Sequence, residues 1–218
     1  MIAAMAKEAK QAARLLVRST AEERSTALSA MANELLDQKE LIVQANSIDL
    51  EAAQKNGISG AMLNRLELGE NGVEKIARAV SEISEQPDPL GIAEEQELRP
   101  NGLKVERMRI PLGVIAMIYE SRPNVTSDAA ALCLRAGNAV ILRGGSEAFH
   151  SNQAIADALR SGLSTTLIPR DAIQLITTPD RSAVDALLQQ EEWIDLVIPR
   201  GGESLIRAVT EKSRIPVI

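Results

Sequence analysis

The chain has 218 residues, 45% of them apolar and 25% charged, with a net charge of −6, long enough for a substantial hydrophobic core. Its only aromatics are Tyr119, Phe149 and Trp193, which excludes base-stacking platforms. The lack of a Lys/Arg block excludes electrostatic docking on nucleic acid or an anionic membrane. A lone cysteine, Cys133, excludes a disulfide framework and points to a reducing, cytoplasmic setting.

The first third reads as helices. "MIAAMAKEAKQAARLLVRS" is too interrupted by Lys and Glu for the apolar core of a signal peptide, and Ala9, Ala12, Ala13, Leu16 and Val17 fall at helical spacing. Thr20 with Glu23 forms a capping box before the next helix, and Asp37 with Glu40 repeats the pattern before a third, which stops at Asn56-Gly57. A further helix covers "GVEKIARAVSEIS". "EQPDPLG" then marks a boundary, so residues 1–86 form an N-terminal helical segment packing on the domain C-terminal to it. Residues 87–112 are a linker and hairpin: two strands with alternating charge flank Asn101-Gly102, read as a two-residue turn. The hairpin is either a solvated ribbon or an arm that packs on a second subunit. The acidic runs Glu22–Glu23 and Glu94–Glu97 read as solvated faces.

Residues 113–218 change pattern. "VIAMIY", "AVILR", "AIQLIT" and "WIDLVIP" are short continuous apolar runs. Helical stretches over Ser127–Ala136, Glu147–Leu163, Arg181–Leu188 and Glu203–Ser213 alternate with them. Strands buried on both faces and separated by helices predict an α/β fold with a parallel sheet built from βαβ units. Such sheets bind ligands beyond the carboxyl ends of their strands.

Two of those ends combine an arginine with two glycines just before a helix: Arg143-Gly144-Gly145-Ser146 and Pro199-Arg200-Gly201-Gly202. Glycines admit a ligand to the main chain, a helix start offers unpaired N–H groups, and a guanidinium suits phosphate. One Gly-Gly pair is ordinarily a turn; two in one sheet suit a ligand with two phosphates. No G-x-G-x-x-G fingerprint and no P-loop is present, so this reading stops at an anion or nucleotide site.

"IPLGVIAMIYESRPNVTSDAAALCLRAGNAVILRGGSEA" and "DLVIPRGGESLIRAV" resemble the γ-glutamyl phosphate reductase (glutamate-5-semialdehyde dehydrogenase) family of the aldehyde dehydrogenase superfamily, over essentially the whole chain. The resemblance implies a Rossmann-like dinucleotide-binding domain of aldehyde dehydrogenase type, preceded by N-terminal helices and a β-hairpin arm, and the NADPH-dependent reduction of γ-glutamyl phosphate in proline biosynthesis. It places Arg143, Gly144, Gly145 and Ser146 at the adenosine side, with Ser146 where NAD-preferring relatives carry a ribose-binding glutamate; hence NADPH over NADH. It places Pro199, Arg200, Gly201 and Gly202 at the pyrophosphate. Asn124 falls near the oxyanion-steadying asparagine of relatives, with a helix-start role as the alternative. Arg122 meets a substrate carboxylate or phosphate, or else a surface ion pair. The implied partners are the small-molecule substrate, further copies of the chain in a homo-oligomer, and glutamate 5-kinase.

The family reaction needs a cysteine thiolate. Cys133 shares a helix stripe with Ala129, Leu132 and Ala136 and reads as an inert buried thiol; the resemblance implies that the nucleophile lies beyond Ile218 and that the sequence is similar to the cofactor-binding half of the enzyme. The alternative is a catalytically inactive nucleotide-binding or oligomerisation module. A third class, an amino-acid kinase holding ATP in the Gly-Gly loops, lacks a lysine after either loop. His150 reads as a solvent-facing residue in the first turn of a helix, Trp193 as the start of a core strand, and no cluster has metal-ligand spacing.

Overall fold

The computed structural model describes residues 1–218, the side chains of Glu94 and Glu95 excepted; the reading of Glu94–Glu97 as a solvated run falls in part outside the described residues. Five helices come first: α1 (Ile2–Leu16), α2 (Ala21–Asp37), α3 (Lys39–Lys55), α4 (Ala61–Leu66) and α5 (Glu70–Glu85). The Thr20 capping box is present in full: Thr20 Oγ1 accepts from Glu23 N at 3.1 Å, and Glu23 accepts from Thr20 N at 2.7 Å. The Asp37 box is not. Helix α2 runs through Asp37, and Gln38 (φ −98, ψ 17) passes the chain into α3 without the extended residue that a side-chain cap requires. Helix α3 does end at Asn56, with Gly57 left-handed at φ +78.

Strands β1 (Ala93–Leu98) and β2 (Lys104–Met108) pair antiparallel as a sheet of their own. Their turn differs from a two-residue Asn-Gly turn. Gly102 N donates to Arg99 O at 2.8 Å, so Pro100 and Asn101 are the central residues and Gly102 (φ +85) comes next as a left-handed bulge. The fixed φ of Pro100 suits the first central position, which moves the turn back by one residue.

The parallel sheet comprises β3 (Val114–Tyr119), β4 (Ala139–Arg143), β5 (Ile173–Leu175) and β6 (Leu196–Arg200), in the order β5-β4-β3-β6. Helices α6 (Asn124–Arg135), α7 (Phe149–Leu163), α8 (Ser182–Leu187) and α9 (Glu203–Lys212) connect and follow them. Trp193 is half-buried in the turn before β6 rather than in the strand. On α6 the predicted stripe is only partly right: Ala129 and Cys133 are buried, but Leu132 points outward and is 53% exposed. After β6 the chain pairs once more, Val217 beside Val197 in parallel.

The sheet grows outward from β3 through β4 to β5, then returns through α8 to place β6 on the other side of β3. That reversal opens a crevice between the carboxyl ends of β3 and β6, where doubly wound sheets take ligands. The N-terminal helices belong to the same core: α2 packs on α5 and α7, and α1 lies against β3, β4 and β5. Buried polar groups lock the layers together. Arg135 of α6 donates to Ser25 Oγ and to the Gln86 carbonyl. Asn46 of α3 donates to Leu66 O (2.9 Å) and accepts from Leu68 N (2.7 Å), which fixes the end of α4.

Candidate functional site

The ends of β3, β4 and β6 converge on the segment directly after β3. Gly144 is a glycine because a Cβ there would strike Asn152 and come within 2.9 Å of the Tyr119 ring. Beneath it, the Tyr119 and Thr126 hydroxyls share a 2.6 Å hydrogen bond and Thr126 donates to Asn152 Oδ1 at 2.9 Å. Burial raises the pKa of Tyr119, so it stays a neutral, structural phenol. On the other side, a Cβ on Gly201 would lie 2.6 Å from the Glu120 carboxyl carbon.

Two clefts open at this crest, with Tyr119 and Glu120 lining both. The first, of about 470 Å³, runs between α8 and α9. Val184 and Leu188 face Leu205 and Val209 across it, giving apolar walls, and Arg143, Gly145 and Ser146 stand at the sheet end. The Arg143 Nη1 donates to Gly144 O at 2.6 Å and Nη2 to Pro179 O at 3.2 Å, while its buried Nε has no partner among the described residues. Burial lowers its pKa, with Glu147 opposing and Arg181 adding to the effect; a guanidinium so placed remains charged.

The second cleft, of about 390 Å³, is lined by Arg65, Ser121, Arg122, Arg200, Gly201 and Gly202 besides the shared pair. The predicted residues therefore divide. Arg143, Gly145 and Ser146 share one cleft, and Arg200, Gly201 and Gly202 share the other with Arg122. Gly144 packs beneath the crest, and Pro199 sits in β6 opposite Ile118 and lines neither cleft. Asn124 is the first residue of α6 and donates from Nδ2 to Asp128 at 2.8 Å, so its amide turns along its own helix. Burial raises the Asp128 carboxyl pKa, with the Asn124 bond and Arg200 pulling it back.

Both helix starts differ from the unpaired amides the sequence suggests. At α7 the buried carboxylate of Asp49 accepts from His150 N at 3.1 Å and Ser151 N at 2.7 Å, and takes the Ser151 hydroxyl at 2.6 Å. The β4 end thus relies on side chains rather than on those amides. At α9 the Gly202 N–H donates to Glu120 at 2.9 Å, so a carboxylate of the chain already stands where an anion would. His150 is exposed, and Cys133 is buried with its pKa pushed up to about 12 by desolvation. Among the described residues no group of three His, Cys, Asp or Glu is placed to hold a metal ion, and no helix is long and apolar enough to cross a membrane.

Sequence reasoning missed Arg65, Glu120, Glu147, Arg181 and the α8–α9 slot. Glu120, Glu147 and Arg181 directly succeed strand ends or open a helix, where the rule used for the Arg-Gly-Gly loops would have found them. Arg65 carries no local signal.

Sheet order, crest and clefts define an α/β protein with a parallel sheet and two clefts at the β3–β6 switch point. The chain belongs to the aldehyde dehydrogenase family, whose model matches residues 1–216. It is similar to proteins named gamma-glutamyl phosphate reductase: 51% identical over 217 residues to that of Colwellia psychrerythraea and 52% identical over 217 residues to that of a Geobacter species, covering 100% of this chain and 52% of each relative. The solved structure of the Thermotoga maritima gamma-glutamyl phosphate reductase superposes with a TM-score of 0.96 at 36% identity, over 99% of this chain and 52% of that one. The chain spans about half the length of the curated relatives it matches.

Proposed function

We propose that this chain supplies the cofactor side of an NADPH-dependent acyl-phosphate reductase, which converts γ-glutamyl phosphate to glutamate-5-semialdehyde and phosphate on the route to L-proline. The observation that carries the reading is the α8–α9 cleft, where Val184, Leu188, Leu205 and Val209 share the lining with Arg143 and Ser146, in a chain half identical to proteins named for that reaction. The donor set fits the group. Val184, Leu188, Leu205 and Val209 would flank the adenine; Arg143, Arg181 and Ser146 would meet the 2′-phosphate, with the Gly145 backbone beside them. Gly201 and Gly202 would meet the pyrophosphate once Glu120 gives way. NADPH, when bound, supplies the hydride for the acyl carbon.

Glu147 bears on the choice between NADPH and NADH. A carboxylate lies one residue beyond Ser146 in the same cleft, set against the two guanidinium groups of Arg143 and Arg181. The same cleft holds Glu120 and the Lys212–Asp185 pair (2.8 Å), so the preference for a 2′-phosphate rests on the two guanidinium groups in the lining and not on a net positive charge. Burial keeps Cys133 a thiol, so it does not serve as the nucleophile of this reaction. The hairpin exposes Leu98 (74%), Leu103 (58%) and Met108 (51%), in keeping with an arm between copies of the chain. Glutamate 5-kinase, as the source of the acyl phosphate, and a cytoplasmic setting belong to the same proposal.

The test is calorimetric titration of the chain with NADPH and with NADH. NADPH binds at least tenfold tighter, Arg143→Ala removes most of that preference, and Glu147→Gln widens it. Equal affinities, or an unchanged preference in Arg143→Ala, would overturn the assignment.

A further inference from the structure

The second cleft gathers three arginines from three separate elements. Arg65 lies in the last turn of α4, Arg122 in the turn after β3 and Arg200 at the end of β6. None of the three guanidinium groups has an ion-pair or hydrogen-bond partner among the described residues. Like charges converging on one concave surface repel, and a protein gains nothing in the unliganded state by assembling them. The arrangement is also held in place. Tyr119 pairs with Arg200 across the β3–β6 ladder. Leu66 and Leu68, flanking the end of α4, are clamped by Asn46, which in turn touches Ser151 at 3.0 Å. Arg65 thereby reaches the carboxyl edge of a sheet that begins far along the chain.

We propose that Arg65, Arg122 and Arg200 form a subsite for a phosphate dianion, the acyl-phosphate end of the substrate, next to the nucleotide cleft. Naming that substrate rests on the function proposed above; the subsite itself rests on the convergence of the three guanidinium groups. Three positive charges and one lining carboxylate, Glu120, leave a surplus of two. A phosphate dianion matches that surplus, whereas a single carboxylate leaves one charge over. Asp128 feels Arg200 from outside the lining and is already bonded to Asn124. Forked guanidinium donors match the three outer oxygens of a phosphoryl group, and Ser121 lines the same cleft. The N-terminal helical layer would thus contribute directly to recognition, through one residue.

The experiment is titration of the chain with inorganic phosphate at fixed ionic strength, read by calorimetry and by amide chemical shifts, with and without saturating NADPH. Phosphate binds saturably at one site, NADPH does not displace it, and the affinity falls at least tenfold in Arg65→Gln and in Arg122→Gln. Both variants keep NADPH affinity within twofold of the parent. Arg207→Gln, which removes an exposed arginine paired with Glu203 on α9, leaves phosphate binding unchanged. Non-saturable binding, or full affinity in Arg65→Gln, overturns the subsite. Displacement by NADPH overturns it too, by returning these arginines to the cofactor pyrophosphate. Loss of NADPH binding with phosphate binding intact would sink the nucleotide reading and leave the phosphate subsite standing.

Discussion

Glu120 occupies the position on which both clefts depend. Its carboxylate accepts the Gly202 N–H at 2.9 Å and lies against Gly201, so under the proposed function an incoming pyrophosphate would meet a negative charge where it needs a helix start. Glu120→Gln keeps an oxygen acceptor for Gly202 and removes the charge. NADPH affinity is expected to rise about threefold, a modest effect because the group is exposed and screened; fluorescence titration of the nucleotide checks it, and weaker binding would mean that the carboxylate assists the ligand. Cys133 gives the second prediction at this scale. With its pKa pushed up to about 12, against about 8.5 in an unfolded chain, the folded state holds the thiol proton over a range where the unfolded state releases it. The stabilising contribution is whole below pH ~8.5 and is lost as pH climbs towards about 12. Denaturation midpoints of the parent should fall more steeply above pH 9 than those of Cys133→Ala, and native Cys133 should resist alkylation at pH 8 until the chain unfolds. Ready alkylation of the folded chain at that pH would contradict its burial.

At the scale of elements, local sequence signals succeeded where one residue sets the geometry and failed where neighbours decide it. "VIAMIY" and "AVILR" are β3 and β4 to the residue, because continuous apolar runs bounded by glycine and polar loops have little else to be. The two capping boxes looked alike in sequence, yet only Thr20 caps. Packing draws α2 and α3 together with a single residue between them, and that leaves Asp37 helical. Thr20→Ala should therefore cost about 1 kcal/mol, while Asp37→Ala stays within ~0.5 kcal/mol, both read from urea midpoints; equal losses would mean that Asp37 caps after all. The candidate site was legible by the same rule. Arg143, Ser146, Gly201 and Gly202 announced themselves as strand ends, whereas Arg65 is carried into place by α3 and Asn46. The intended roles of the helix-start amides were hidden as well, since Asp49 and Glu120, which satisfy them, come from distant elements.

For the whole molecule, the question is whether the helices before Pro87 and the sheet after it unfold as one body. Gly162 on α7 sits so close to α2 that a Cβ would lie 2.8 Å from the Met31 Cα and N and 2.9 Å from the Ala30 carbonyl carbon. Those are main-chain atoms, which cannot step aside as a flexible side chain can. The boundary at "EQPDP" is tied down too: Arg24 reaches Asp88 at 2.7 Å, and Arg135 reaches the Gln86 carbonyl. Gly162→Ala must push α2 and α7 apart, and the ~1 kcal/mol that alanine adds to helix propensity offsets only part of the strain. The net loss expected is about 1–3 kcal/mol. With one shared core, far-UV dichroism and Trp193 fluorescence should follow a single urea transition that the variant moves as a unit. Trp193 reports from the turn before β6, where the Lys7 ammonium of α1 lies 6.0 Å from its ring centroid. A variant that moved the helical signal and left the Trp193 transition in place would split the chain into two folding units. The guanidinium of Arg65, borne by the first unit and used by the second, would then be held to the crest only as well as that seam holds.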